Sequence, residues 1–417
     1  MKKSLAIIGA GPAGMTAALF AARAGQAVTL IDGNAQVGRK LLVTGSGRAN
    51  LTNLAVSAEK YASGSDASAW LEPLFKQFGP AELRQFLEEM GLLTFATADG
   101  WVYPVSESAQ TVVAAFASAL QRAGVSLLLE HKVTSIRKTL NGFALSFEKQ
   151  PELQCTTLLV AAGGKAYPTL GSRGECFTSL AKLGHTVRPL LPALGPLSAD
   201  MHLYQSLQGV RLDACVTLFD AGKGNASPLP LGETTGNLIF TQWGFNGPAV
   251  MDLSHLAARR PGAELSMLMN FLPGREEQVR GLVQSHRREP IPLAVIPGSS
   301  LPPKLCTFIL EQCKLPPEST LAKISEPQLK KLMDWITAFP VKVSGVRGFD
   351  TCQVSAGGIP VEEVDSVSMQ SRRVPGLYLA GETLDVIGPC GGYNLQFAFS
   401  SGAVAGMGMA RTNLTID

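Results

Sequence analysis

Apolar residues in this chain follow two rhythms. Near the start, Leu5-Ala6-Ile7-Ile8 is a short continuous apolar run, the pattern of a strand buried on both faces of a parallel sheet. After a glycine-rich break, Met15, Ala18, Leu19 and Ala22 recur at i, i+3, i+4 and i+7, which predicts a helix with one apolar face closed at Gly25. A second apolar run, Ala27 to Ile31, predicts another strand and ends at Asp32. Helical spacing returns from Trp70 to Met90 and from Ser108 to Arg122, where Val112, Val113, Phe116 and Leu120 share a face. Asp99-Gly100 predicts a turn between Leu92–Phe95 and Trp101–Val105, and Asn141-Gly142 another between Val133–Leu140 and Phe143–Phe147. Further buried strands are predicted at Thr156–Ala162 and around Leu377, the second followed by a helix from Gly391 to about Met409.

The break after the first strand carries chemistry. In Gly9-Ala10-Gly11-Pro12-Ala13-Gly14, Gly9 permits a tight turn, Gly11 lets the backbone approach a pyrophosphate and Gly14 lets helix and strand pack closely. The helix N-terminus behind them offers free N–H groups and partial positive charge to phosphate. Asp32, 23 positions after Gly9, would accept hydrogen bonds from a ribose and repel a 2′-phosphate, which favours FAD or NAD over NADP. Strand, glycines, helix, strand and acid in this order outweigh the alternative of an ordinary glycine turn.

A second fingerprint of this kind is absent between Pro192 and Phe339. That stretch opens with proline joints at Pro189, Pro192 and Pro196 and has β-like segments at Ala214–Phe219, Gly236–Thr241 and Leu265–Phe271. Helical segments follow at Glu276–Arg288, Pro303–Cys313 and Glu326–Phe339. The expected fold class is α/β: a discontinuous Rossmann-like FAD-binding domain, 1–191 and 342–417, with an inserted mostly β domain at 192–341 that carries a helical subdomain.

Composition narrows the function classes. With 46% hydrophobic and 17% charged residues over 417 positions, the chain can bury large cores and is neither a disordered tail nor a coiled coil. Its 43 glycines, against a usual share of ~7%, fit many close backbone approaches to a ligand. A net charge of +3 is too small to imply nucleic acid as a partner. Seven cysteines without a C-x-x-C pair exclude a disulfide-reductase mechanism and a zinc site, and read as reduced thiols in a cytoplasmic protein; no metal is expected. No stretch of 18 apolar residues predicts a membrane span. The five histidines are far apart in sequence, and no Ser-His-Asp arrangement is legible.

After Asp32 and Gly33, the segment Gly38-Arg39-Lys40-Leu41-Leu42-Val43-Thr44-Gly45-Ser46-Gly47-Arg48-Ala49-Asn50 sets three cations among three glycines. This suits further pyrophosphate contacts, because Leu41 to Val43 have little reason to lie in open solvent. The run from Gly38 to Asn53 resembles the signature of the YhiN/BaiN-like flavoproteins, often labelled aminoacetone-oxidase-like FAD-binding enzymes, of the two-dinucleotide-binding-domain class. Gly163-Gly164-Lys165-Ala166-Tyr167-Pro168 after Ala162, Ser355-Ala356-Gly357-Gly358, and Gly381-Glu382 with Gly391-Gly392-Tyr393-Asn394-Leu395-Gln396 are similar to further motifs of that family.

The resemblance implies FAD as cofactor, with Val133 at the adenine, Ala162, Gly163, Gly164 and Tyr167 passing the pyrophosphate or flavin edge, and Gly381-Glu382 at the ribitol and phosphate. It places Gly392, Tyr393, Asn394 and Leu395 at the head of a helix aimed at the flavin pyrimidine. Pro12, Ala13, Gly33, Gly38, Arg39, Lys40, Ser46, Gly47, Arg48 and Asn50 complete the expected cofactor contacts. This chain departs from the family pattern at Gln242 (His), Asn246 (Ser), Ala49 (Cys), Ser46 (Gly) and Cys390 (Thr), so chemistry that a relative performs with such a His or Cys cannot be carried over. Tyr393, Asp385 and Cys390 are the candidates for proton transfer or substrate contact, each with packing as its plainer explanation. The function expected is hydride transfer between flavin N5 and a small organic substrate, with NAD(P)H or oxygen as redox partner. The alternatives are an FAD-dependent RNA-modifying enzyme and a non-catalytic redox-responsive flavoprotein.

Overall fold

The computed structural model describes residues 4–220, 222 and 228–414. They form two compact units, 1–191 with 353–417 and 192–352. The first unit is built on a five-stranded parallel sheet in the order Leu377–Leu379, Thr157–Val160, β1 (Leu5–Ile8), β2 (Val28–Ile31), Ser126–Leu128. Ile7 stands between Leu159 and Leu30 in register, and all three are fully buried, as the continuous apolar runs require. Helix α1 (Pro12–Arg23) starts on Gly11, buries Met15, Ala18 and Leu19, and stops before Gly25. The C-terminal helix, Tyr393–Leu414, lies against α1.

Two local expectations change. The periodic stretch from Trp70 to Met90 is two helices, Ser68–Gln77 and Pro80–Glu89, because Gly79 is extended and Pro80 lacks the N–H that would continue a helix. The apolar residues of the cationic loop separate: Leu41 is buried but Val43 is 46% exposed, so the case made from their burial holds only at Leu41. Both predicted hairpins pair antiparallel, Thr94–Ala96 with Trp101–Pro104 and Val133–Thr139 with Gly142–Phe147.

The second unit has its own apolar core beneath a seven-stranded sheet. Arg211–Asp220 pairs antiparallel with Leu229–Thr241 and with Leu265–Asn270, and helices Glu276–Ser285, Pro303–Gln312 and Glu326–Thr337 follow. The unit ends at 352, not at 341 as the sequence suggests. Phe339–Val343 pairs along Leu265–Asn270 and Gly345–Val346 pairs with Leu197–Ser198, so the chain completes this sheet before it leaves. Among the described residues no helix is long and apolar enough to cross a membrane.

Candidate functional site

At the end of β1, the three glycines fall into two kinds. A Cβ on Gly9 would lie 2.3 Å from the Ala161 carbonyl oxygen, and one on Gly14 would lie 1.8 Å from the Gly9 oxygen, so both are excluded by the protein's own backbone. A Cβ on Gly11 would meet no protein atom within 4 Å, and the backbone there is ordinary (φ −81°, ψ −175°). Gly11 therefore faces space that the protein leaves open, at the head of a helix with no side-chain cap. Open space beside uncapped N–H donors is what a pyrophosphate needs.

Asp32 anchors this loop. Its Oδ2 accepts from the Ala10 N–H at 2.7 Å, and its Oδ1 accepts from the Asn34 N–H and Nδ2, both at 2.8 Å. A carboxylate has about four acceptor directions, so a ribose diol would share the one that remains or displace Asn34. Gly33 packs on Lys132, the neighbour of half-buried Val133, which brings those two expected contacts to one place.

The three cations of the following loop go three ways and form no single phosphate patch. Arg39 donates to Asn34 Oδ1 at 2.7 Å, Lys40 reaches Glu382, and exposed Arg48 lies over the Tyr103 ring and 3.5 Å from Glu107. Ser46 is exposed and Gly47 half-buried, both with positive φ, +57° and +87°. Lys40 Nζ lies 2.7 Å from Glu382 Oε2, while Glu382 Oε1 accepts from the Ser355 N–H at 2.8 Å. Ser355 Oγ in turn accepts from the N–H groups of Lys165 and Ala166 at 2.6 and 3.1 Å. A Cβ on Gly164 would collide with both, at 2.5 Å from Glu382 Oε1 and 2.6 Å from Ser355 Oγ. Four distant segments thus meet at one charged cluster, beside half-buried Ala162 and Gly163 and left-handed Tyr167.

At the head of the C-terminal helix, Gly391 and Gly392 have φ of +104° and +96°. A Cβ on Gly392 would lie 2.4 Å from the Thr52 oxygen, and one on Gly391 would lie 2.9 Å from the Trp101 ring. Asn394 clamps the preceding loop, accepting from the Gly388 N–H at 2.9 Å and donating to its carbonyl at 2.7 Å. Gln396, fully buried, accepts from the Thr52 hydroxyl at 2.5 Å, and Leu395 beside it is half-buried. Tyr393 is 5% exposed; its hydroxyl receives a hydrogen bond from Lys60 Nζ at 3.1 Å, and its carbonyl accepts from Tyr61 Oη at 2.9 Å. Burial, then Tyr393, holds the Tyr61 hydroxyl well above the usual tyrosine range.

Asp385 is a scaffold anchor: fully buried, it accepts from Arg188 Nη1 and the Gly64 N–H, each at 2.9 Å, and from the Gly357 N–H at 2.9 Å. Cys390 is half-buried beside the glycine turn. Sequence reasoning missed Thr52, Trp101 and Arg188; Thr52 lies inside the recognised signature, while Trp101 and Arg188 sit in no motif. In the second unit, Gln242 is exposed and Asn246 Oδ1 accepts from the Gly247 N–H at 2.9 Å.

The structure also assembles a Ser-His-acid array invisible in sequence. His185 Nδ1 lies 2.7 Å from Glu363 Oε2, and its Nε2 lies 2.9 Å from Ser371 Oγ. Ser371 Oγ already accepts from the N–H groups of Arg373 and Val374, and all three members are buried, so the array ties a turn and does not present a nucleophile.

Two helix heads unite these parts. A Cβ on Gly402 would lie 2.2 Å from the Ala13 oxygen and one on Gly406 2.6 Å from the Ala17 oxygen, so α1 and the C-terminal helix run parallel at a glycine-only distance. Pro12 is then level with Ser401, and the C-terminal helix begins eight residues earlier, about 12 Å further along at 1.5 Å per residue. Two positive helix ends, staggered on one side of the sheet, suit a long ligand with a pyrophosphate at one point and an electron-accepting ring beyond it.

Residues 3–408 match the family of HI0933-like proteins, described by its Rossmann domain. The chain belongs to this family. With its HI0933-like relatives it is an FAD-binding flavoprotein and an FAD-dependent oxidoreductase. The 3-dehydro-bile acid delta(4,6)-reductase of Clostridium scindens is 33% identical over 414 residues, covering 97% of this chain and 98% of the relative. The ribosomal RNA dihydrouridine synthase of Escherichia coli is 30% identical, over 95% of each chain. The 3-ketosteroid delta1-dehydrogenase of Sterolibacterium denitrificans, solved with 1,4-androstadiene-3,17-dione, matches at a TM-score of 0.50 and 11% identity over 99% of this chain and 100% of that one, a likeness of fold.

Proposed function

We propose that this HI0933-like protein is a cytoplasmic FAD-dependent oxidoreductase acting on a small organic substrate whose carbon–carbon double bond is conjugated with a carbonyl. Bound FAD would supply the electron pair as a hydride at flavin N5 and be reduced again by NAD(P)H; in the opposite direction the saturated compound would reduce the flavin and oxygen would reoxidise it. The observation that carries the reading is the staggered pair of helix heads: the open space at Gly11 accepts the pyrophosphate, and the Gly391–Gly392 turn about 12 Å beyond accepts the ring. Asp32, Gly33 and Val133 would hold the adenosine end, and Lys40, Gly164 and Glu382 the middle. Tyr393 is the proton donor in this reading, because its hydroxyl is hydrogen-bonded to Lys60, an exposed cation that can exchange protons with water. Asp385, held by Arg188 and two backbone N–H groups, positions the loop between Glu382 and the glycine turn. Seven free cysteines fit a reducing compartment.

The names of the two curated relatives support the substrate class: each describes the reduction of a double bond conjugated with a carbonyl, in a bile acid and in a uracil ring. The second of these also supports RNA as substrate. Residues 192–352 hold 15 Lys and Arg against 14 Asp and Glu, no surplus for gripping a polyanion, and the small molecule is preferred.

The test is anaerobic. NADH or NADPH is added to FAD-loaded protein while flavin absorbance is followed, and then a panel of conjugated enones, uridine and ribosomal RNA is supplied. Bleaching by a nicotinamide or by a saturated substrate analogue, with many turnovers on an enone, is expected. A protein that takes up no FAD, or that passes electrons to RNA alone, ends this reading.

A further inference from the structure

Arg347 is half-buried, and among the described residues its guanidinium has neither an acidic partner nor a hydrogen-bond acceptor. It lies instead over the Trp243 ring, with Cζ 4.4 Å from the ring centroid. Stacking on an aromatic face fixes the plane of the guanidinium and leaves its N–H edge open. A partly desolvated cation without a counter-charge is costly, and an arriving anion recovers that cost. Strand register shows what surrounds it. Ser198 stands between Gly244 and Gly345, while the neighbouring row, Leu197 between Phe245 and Val346, packs on the core. Side chains alternate along a strand, so Ser198 faces away from the core with a glycine on either side. Arg347 follows Val346 and Asn246 follows Phe245, so both start from that same outer side, and the Arg347 N–H extends the row by donating to the Pro196 carbonyl at 3.0 Å. A Cβ on Gly345 would meet nothing within 4 Å, nor would one on Gly348. Asn246 Oδ1 accepts from the Gly247 N–H at 2.9 Å, which leaves its Nδ2 to donate. The Ser198 hydroxyl, Asn246 Nδ2 and the guanidinium thus border one open glycine floor beside the apolar wall of Trp243.

We propose that this outer face of the second unit binds the carboxylate of a small organic acid, held at two points by Arg347, with the acid's hydrocarbon frame against Trp243. Every residue involved lies within 192–352, and the site goes beyond the FAD reading without resting on it. One guanidinium balances one negative charge, so a carboxylate fits better than a phosphate dianion. One cation is also too little to grip a nucleic-acid backbone.

Cyclohexanecarboxylate, its uncharged amide, inorganic phosphate and a single-stranded RNA oligonucleotide are titrated calorimetrically into the full chain, as wild type, Arg347→Ala and Arg347→Gln. The wild type should bind the carboxylate at least about tenfold more tightly than the amide, the scale of one charge-assisted pair. Both variants should bind acid and amide within about twofold of each other. Arg347→Gln keeps most of the side chain's length and loses only its charge, so its melting temperature should match that of the wild type even if Arg347→Ala folds poorly. Equal affinity for acid and amide in the wild type, or a preference that survives in Arg347→Gln, overturns the site. Phosphate or RNA binding that is tighter than the carboxylate's and is lost in Arg347→Gln would give the guanidinium to a phosphate and also overturn it. A wild-type protein that takes up no FAD yet prefers the acid would end the earlier reading and support this one.

Discussion

Lys40 and Glu382 stand 342 positions apart in the chain, and the ammonium of one lies 2.7 Å from the carboxylate of the other. The pair is partly screened, with side chains 26% and 17% exposed, so its strength lies between that of a surface bridge and a buried one. Glu382→Gln keeps an acceptor for the Ser355 N–H and should lower stability to urea by about 1 kcal/mol. Glu382→Ala, which leaves both Lys40 and the Ser355 N–H unpaired, should lower it by about 2–3 kcal/mol. Equal losses in the two variants would mean that the charge, not the backbone contact, holds these segments together.

Gly11 separates folding from binding. Its backbone is extended, a conformation any residue can take before a proline, and a Cβ there touches no protein atom. Gly11→Val should therefore leave the apoprotein's stability within about 0.5 kcal/mol of wild type, the usual range for a substitution that meets nothing. FAD affinity should fall by at least about tenfold, a loss of roughly 1.4 kcal/mol or more. A variant that binds FAD normally would show that the pyrophosphate lies elsewhere.

Gly402 presents the opposite case. Its Cβ would lie 2.2 Å from a backbone oxygen of α1, an atom that no rotamer change can move. Gly402→Ala should push the two helices apart, lower stability by about 1–3 kcal/mol, and weaken FAD binding by altering the distance between the helix heads. Thermal melting with and without FAD reads both effects; a melting curve like the wild type's would refute the close parallel packing.

Acid should destabilise the second unit through His255. Burial, reinforced by Arg259, pushes its imidazole down to about 4. Its charged form is disfavoured in the fold, so the unfolded chain binds the proton first. Stability is complete above about pH 6.5, falls as pH drops from there towards 4, and loses roughly 3 kcal/mol over that window. His185, also lowered by burial against the opposing pull of Glu363, adds a slope of the same sign in the first unit. Urea unfolding as a function of pH should lose part of its slope in His255→Asn; an unchanged slope would remove His255 as its source.

Much of the first unit was legible because its signals are local. Four apolar residues in a row, glycines two and three apart and an apolar face of period 3.6 report on neighbours within a few residues, and the strand, loop and helix from Leu5 to Arg23 follow them closely. The split at Gly79-Pro80 was present in the letters, but the apolar period runs through it and masks it. The close of the second unit was not visible, because Phe339 reads as the last residue of a helix and the chain from 342 as the return to the first domain, until Leu265–Asn270 is placed beside Phe339–Val343.

The sequence by itself determined the dinucleotide-binding unit, the class of cofactor and the glycines that leave room for it, since turn geometry and helix amphipathicity are short-range properties. The tertiary structure alone decided which polar groups meet. It divided the three loop cations, placed Ser355 under Glu382, turned Asp385 into an anchor, closed a Ser-His-Glu array around a turn, and left Asn50 without a partner at the head of the C-terminal helix. Strand order and the parallel packing of two helices set those distances, and contacts across hundreds of residues leave no period in the chain.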